Sequence, residues 1–258
     1  MKFNVNANRV FGIRDIKLYG HFIEHFHRQI YGGVYDPASP LADEDGFRTD
    51  VIEAMKKIKT PILRWPGGCF AETYDWRDGI GPKEKRPTTL SWWTDYDGRY
   101  EPNIVGTDEF LDFCSLVGAE PYFAANITSV SPRDIRDWVD YVNSPEGSTT
   151  YAKLRAENGH PTPYNVKLWG VGNENWGGGG NMTPEYYACE YRRYAEVIAN
   201  ASKGLELFGC GANWAEYGWT RGVLGELSKK NVRMHGLAFH YYCGTAGGAV
   251  NFTDAEWN

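Results

Sequence analysis

The chain has 258 residues, 42% hydrophobic and 23% charged, with 30 glycines and 13 prolines, a composition that fits a folded globular protein and excludes disordered or collagen-like chains. A formal net charge of -6 lacks the basic excess of a nucleic-acid surface, and no run of about 18 apolar residues is present to span a membrane. DNA, RNA and membrane partners are therefore not expected.

From the N-terminus, the apolar run 17–24 reads as a first strand ending at Glu24. The spacing of Val51, Met55 and Ile58 predicts a helix over 48–59. Strand 61–65, carrying Arg64, is followed by a long loop, 67–106. A helix over 107–117 and a strand over 121–127 come next. Ser131, Pro132 and Asp134 then open a helix with a carboxylate at the capping-box position, and Trp138, Val139 and Val142 supply its apolar face before Pro145. Residues 143–165 read as a second long loop. Strand 166–173 runs into Asn173 and Glu174, after which Thr183 as N-cap and Pro184 at the first helical position start a helix directed toward Gly204. Strand 205–212, a helix over 220–230 and strand 235–242 complete the order.

Strict β-α alternation implies a parallel sheet, either open and doubly wound or closed as an eight-stranded barrel. The pairs Gly170/Gly172 and Gly209/Gly211 each lack the third glycine of a dinucleotide-binding turn. Polar residues instead end many strands: Glu24, Arg64, Asn126, Glu174, Asn213 and His240. In a barrel those ends converge on one mouth. The expected class is thus α/β, an incomplete (β/α)8 TIM barrel over residues 17–258. About six of eight strands occupy a length that normally holds a whole barrel, and the chain reads as a fragment.

The sharpest local signal is WGVGNENWGGGGNM at 169–182. Glu174, between Trp169 and Trp176, is expected to act as a general acid whose pKa an apolar wall raises, with Asn173 bonding a substrate hydroxyl; a carboxylate that merely caps the following turn is the alternative. No Lys-Ser or Lys-Thr follows Gly177–Gly180, so these glycines read as a flexible lip rather than a phosphate cradle. The 10 Trp, 17 Tyr and 12 Phe suit sugar faces as well as they suit a core. Five scattered cysteines (Cys69, Cys114, Cys189, Cys210, Cys243) without C-x-x-C spacing, and no apolar leader, point to a reducing, cytoplasmic setting.

Taken together, YGHFIEH (19–25), IYGG (30–33), LRWPGGCF (63–70), WRDGIGP (76–82), GAEPY (118–122), GVGNENWG (170–177) and HYY (240–242) resemble glycoside hydrolase family 51, the α-L-arabinofuranosidases. The resemblance implies a retaining enzyme that removes terminal α-L-arabinofuranosyl residues from arabinose-containing polysaccharides or oligosaccharides, with Glu174 as acid/base. It needs no metal or organic cofactor, and intact relatives often form homo-oligomers. The family's nucleophile lies on the seventh strand in a motif resembling D-E-W-G, which this sequence lacks; by strand count Glu72, Glu216, Asp254 and Glu256 do not take its place. The chain is therefore expected to be without a nucleophile. Residues 1–16 would be an N-terminal strand of a β-sandwich domain whose remainder is missing.

Residue by residue, the resemblance gives Glu24 to sugar hydroxyls, against an ion pair with Arg64 as the plain alternative. Arg64 would orient the nucleophile and Cys69 would line the sugar site, where an inert buried thiol is the competitor. His240 and Tyr242 resemble the family's sixth-strand pair, or form an ordinary core pair; Asn126 and Asn213 are weaker candidates at the mouth. His21-Phe22-Ile23-Glu24-His25 also fits the inverted zinc-protease spacing, which requires a helix and a third ligand; the resemblance puts this segment on a strand. Two other readings stay open: an endo-acting glucanase or xylanase of the same clan, and a catalytically silent sugar-binding fragment.

Overall fold

The computed structural model describes residues 4, 6, 8–10, 12–213 and 217–241. Six strands, β1 (His21–Phe22), β2 (Ile62–Trp65), β3 (Glu120–Ala125), β4 (Leu168–Val171), β5 (Glu206–Cys210) and β6 (Gly236–Ala238), pair in parallel in chain order as one sheet. Helices α1 (Thr49–Ile58), α3 (Thr107–Val117), α4 (Pro132–Asn143), α6 (Pro184–Ala199) and α7 (Tyr217–Leu227) connect them, with the one-turn α2 (Thr94–Asp97) and α5 (Thr150–Glu157) set in loops. Sequential parallel order is the progression of a (β/α)8 barrel, of which six strands stand here as a half-barrel.

Alternation along each strand sorts the side chains. Trp65, Phe123 and Trp169 face the helices, where they meet Trp138 of α4 with ring centroids 6.3, 4.5 and 5.3 Å away. Ile62, Arg64, Tyr122, Leu168 and Phe208 face the other way and line an inner trough. The helix ends follow their local chemistry. Ser131 and Asp134 close a capping box on α4, and the Thr183 side chain accepts from Tyr186 N–H over Pro184 at the start of α6.

Most strands are shorter than the sequence expectation by one or more residues, and the larger differences have local causes or partners. β1 is confined to two residues because Asp15 caps a 3-10 turn over Ile16–Tyr19, its carboxylate accepting from Lys17 N–H. β6 stops at Ala238, and α7 starts at Tyr217, three residues early, where Trp219 packs on Tyr187 with centroids 5.2 Å apart. Within the predicted loop 143–165 lies α5, whose buried residues are only Ala152 and Arg155. Of residues 1–16, where a sandwich strand is expected, those described lie in no strand; residues 1–3, 5, 7 and 11 fall outside the described set.

Arg155 explains how that polar segment is held. Fully buried, it donates to the carbonyl oxygens of Tyr141, Ser144, His160 and Pro161 at 2.5 to 3.0 Å. Asn143 adds a two-way bond with the Val166 backbone, which fixes the entry to β4. Methionine at 155 would fill similar space but strand those carbonyls, so Arg155→Met is expected to cost about 2 kcal/mol, read as a lowered unfolding midpoint. An unchanged midpoint would show that the guanidinium does not hold this loop.

Candidate active site

The C-terminal ends of the strands surround a cavity of about 590 Å³ lined by Phe22, Glu24, Arg64, Cys69, Trp93, Asn173, Glu174 and His240, among others. Five of the six strands or the turns after them contribute. Glu24 follows β1, where strand-like bonds continue on either side of it: Ile23 N–H donates to Arg64 O and His25 N–H to Pro66 O. Its Oε1 accepts from Phe70 N–H at 3.1 Å and from the Trp93 indole at 2.9 Å. Burial pushes its carboxyl above the usual range, against the pull of those two donors and the nearby Arg64 charge. Gly67 and Gly68 permit this close approach, since a Cβ on Gly68 would lie 2.5 Å from Glu24 Oε2. Glu24 forms no ion pair with Arg64.

Arg64 Nη2 donates instead to Asn173 Oδ1 at 2.7 Å, while its Nε is buried and has no hydrogen-bond partner in the described structure. Asn173 Nδ2 lies 3.9 Å from Cys69 Sγ, and Cys69 Sγ lies 3.7 Å from Glu174 Oε2. Burial, with the Glu174 and Glu24 charges behind it, pushes the Cys69 thiol up to about 12, so it stays protonated and can donate. On the other oxygen, His240 Nδ1 is 2.6 Å from Glu174 Oε1. Cys69 and His240 thus lie against different oxygens of Glu174.

Glu174 itself has φ of 46°, a left-handed conformation that a residue with a Cβ adopts at a cost of about 1 kcal/mol. The glycine run behind it closes the turn: Gly177 N–H and Gly179 N–H both donate to Glu174 O, and Gly179 O accepts from Asn175 Nδ2 and Thr128 Oγ1. A Cβ at Gly179 would meet Asn173 O at 1.8 Å. The run is a hydrogen-bonded wrap around Glu174, which corrects the expectation of a flexible lip.

Other expectations are corrected by position. Trp169 lies on the helix side against Phe123 and Trp138, and Trp176 donates to Gly211 O; neither lines the cavity. Its apolar wall comes from Phe22, Phe26, Trp93 and Phe239. Asn126 is buried and spends its amide on Tyr74 O, Ser129 and the Thr128 N–H, and Asn213 is not part of the lining. The zinc-protease spacing forms no helix: His21 is exposed on β1, and the buried His25 bonds Glu101 through Nδ1 and accepts from the Trp65 indole at Nε2. Tyr242, Glu216, Asp254 and Glu256 lie outside the described residues.

Sequence reasoning missed Trp93, which sits in the loop 67–106 and holds Glu24, although the aromatic density of LSWWTDYDGRY was visible. Glu72, expected to be a loop or helix-cap carboxylate rather than a nucleophile, has a larger set of partners than that. Glu72 is fully buried and outside the cavity, accepting from Asn173 N–H, Asn175 Nδ2, Ile127 N–H and Thr128 N–H.

Parallel β/α units whose polar strand ends meet in one cavity, with two carboxylates and several aromatic rings in its lining, define the mouth of a (β/α)8-type half-barrel. The family model for the alpha-L-arabinofuranosidase 1 domain matches residues 54–243, and the chain belongs to glycoside hydrolase family 51. An intracellular exo-alpha-L-arabinofuranosidase of Bacteroides ovatus is 41% identical over 98% of this chain and 49% of its own length. The arabinose complex of the Thermotoga maritima α-L-arabinofuranosidase is 42% identical with a TM-score of 0.80, covering 89% of this chain and 46% of that one. The family 51 arabinofuranosidase of Xanthomonas axonopodis pv. citri is 40% identical with a TM-score of 0.84, covering 93% and 49%. The chain spans about half the length of these relatives.

Proposed function

We propose that the full-length protein carrying this chain is a retaining α-L-arabinofuranosidase in which Glu174 is the acid/base. One geometric observation carries this reading: Glu174 stands at the cavity wall with one oxygen 2.6 Å from His240 Nδ1 and the other 3.7 Å from the Cys69 thiol. Protonated, Glu174 gives its proton to the glycosidic oxygen as the bond to the arabinosyl C1 breaks. Ionised, it takes a proton from the water that later cleaves the glycosyl-enzyme. Glu24 and Asn173 bind sugar hydroxyls, and Cys69 lines the sugar as a neutral thiol. Glu24 and Glu174 are the only carboxylates lining the cavity among the described residues; we assign the nucleophile to a part of the protein outside them, with the spare Arg64 N–H orienting it and with Tyr242, which lies outside the described residues, as a further proposed contact.

The barrel domain is taken as 17–258. A cytoplasmic location is proposed in line with the intracellular name of the Bacteroides ovatus relative, and no described helix is long and apolar enough to cross a membrane. A homo-oligomeric full-length protein is likewise a proposal, read by solution mass.

The test is hydrolysis by the full-length protein of p-nitrophenyl α-L-arabinofuranoside, p-nitrophenyl β-D-xylopyranoside and arabinoxylan. Release of arabinose as the sole sugar is expected; release of xylo-oligosaccharides from arabinoxylan would favour an endo-acting enzyme and overturn this reading. Gly68→Ala, which forces the Glu24 carboxylate away, is expected to lower kcat/KM by about 100-fold. If kcat/KM stays at the wild-type value, Glu24 is not a sugar ligand.

A further inference from the structure

Glu72 lies beyond the LRWPGGCF segment, in the 3-10 turn Cys69–Thr73, and no side chain lining the cavity bonds its carboxylate except Asn173 through its backbone. Four N–H groups donate to that carboxylate. Oε1 takes Asn173 N–H at 2.6 Å and Asn175 Nδ2 at 2.9 Å; Oε2 takes Ile127 N–H at 2.9 Å and Thr128 N–H at 3.1 Å. These four N–H donors match the group as an acceptor on both oxygens, and the Thr128 hydroxyl beside it also favours the ionised form. No Lys, Arg or His forms an ion pair with it among the described residues. A buried carboxylate without a cation is costly, and burial accordingly pushes its pKa up. A cost of that kind calls for a local reason.

The reason is visible in which atoms it grips. Oε1 holds the residue before Glu174 by its backbone and the residue after Glu174 by its side chain, so a single oxygen brackets a residue held at φ of 46°. The same Asn175 amide continues to Gly179 O, which closes the glycine wrap onto Glu174 O. Oε2 ties this turn to the end of β3, so the Glu174 backbone is fixed against two neighbouring strands. We infer that Glu72 is the positioning residue of the acid/base: it clamps Asn173 and Asn175 on either side of Glu174 and so holds the Glu174 carboxyl at the cavity wall. This inference rests on the reading of Glu174 as the acid/base.

A clamp that acts through Glu174 affects the reaction selectively. An arabinofuranoside with a poor leaving group needs proton donation in the first step, whereas a 2,4-dinitrophenyl leaving group departs without it. In the full-length protein, Glu72→Gln keeps the side-chain shape but turns two of the four N–H donors onto an amide nitrogen. Its kcat/KM is expected to fall about 100-fold for methyl α-L-arabinofuranoside and by less than about 5-fold for the 2,4-dinitrophenyl glycoside. Azide should partly restore its turnover of the activated substrate. Glu174→Ala is assayed alongside. If Glu174→Ala itself shows no leaving-group dependence, the acid/base reading fails. If it does and Glu72→Gln lowers both substrates equally, or lowers only the unfolding midpoint, Glu72 is a structural carboxylate and the inference is overturned. Should Glu72→Gln not fold, Asn175→Ala removes one arm of the same clamp and gives the same ratio, with an equal fall on both substrates counting against the clamp.

Discussion

Glu174→Ala in the full-length protein is expected to lose about 10²- to 10⁴-fold in kcat/KM on arabinofuranosides with poor leaving groups, the range supplied by a positioned general acid. Activated aryl glycosides should lose far less in kcat/KM, because their leaving group needs no proton. The Cys69 thiol is a weak acid that burial, the largest cause of its upward shift, keeps raised when Glu174 is gone. His240 bonds Glu174 itself and would be left facing the gap. A uniform loss across leaving groups would remove Glu174 from the acid/base role.

The second large effect concerns stability. Trp138 is 1% exposed and lies at the crossing of the outward-facing rows of the sheet, within 6.4 Å of the rings of Trp65, Tyr74, Trp76, Phe123 and Trp169. Its indole N–H also donates to Thr107 Oγ1, which ties α4 to the start of α3. Truncation to alanine removes the shared partner of β2, β3 and β4, and a cavity of that size beneath three strands cannot collapse fully. Trp138→Ala is expected to cost about 3–5 kcal/mol, measured by denaturant unfolding. A loss under about 1 kcal/mol would mean that the aromatic cluster repacks, and that the mouth does not depend on this layer for its support.

These two residues also mark what local sequence could and could not carry. Trp138 follows Ser131 and Pro132 in a helix with a clear cap and an apolar face, and α4 stands where those signals put it. The six strands and their parallel order follow from alternation of the same kind, and Glu24, Arg64, Cys69, Asn173, Glu174 and His240 all meet in one cavity. What stayed hidden was non-local. α5 has no apolar stripe, because its anchor is Arg155 reaching four carbonyls, and a helix held by one buried cation leaves no periodicity to read. Trp169 and Trp176 flank Glu174 in sequence, but strand alternation turns Trp169 to the helices, so the apolar wall is built from β1, the loop 67–106 and the end of β6. Glu72 looked like one loop carboxylate among several; its partners lie 55 and 101 residues away in Ile127 and Asn173. The short reach of β1 reflects competing local structure, the Asp15-capped turn, which an apolar run alone does not reveal.

The acid/base assignment and the retaining course are joined in one product. Full-length Glu174→Ala, given an activated aryl α-L-arabinofuranoside and azide, should form a glycosyl-enzyme that Glu174 can no longer help water to cleave, and azide, needing no general base, should attack it. The expected product, seen by NMR, is α-L-arabinofuranosyl azide, with the anomeric configuration of the substrate. The β-anomer, or no azide adduct while hydrolysis continues at the wild-type rate, would contradict it.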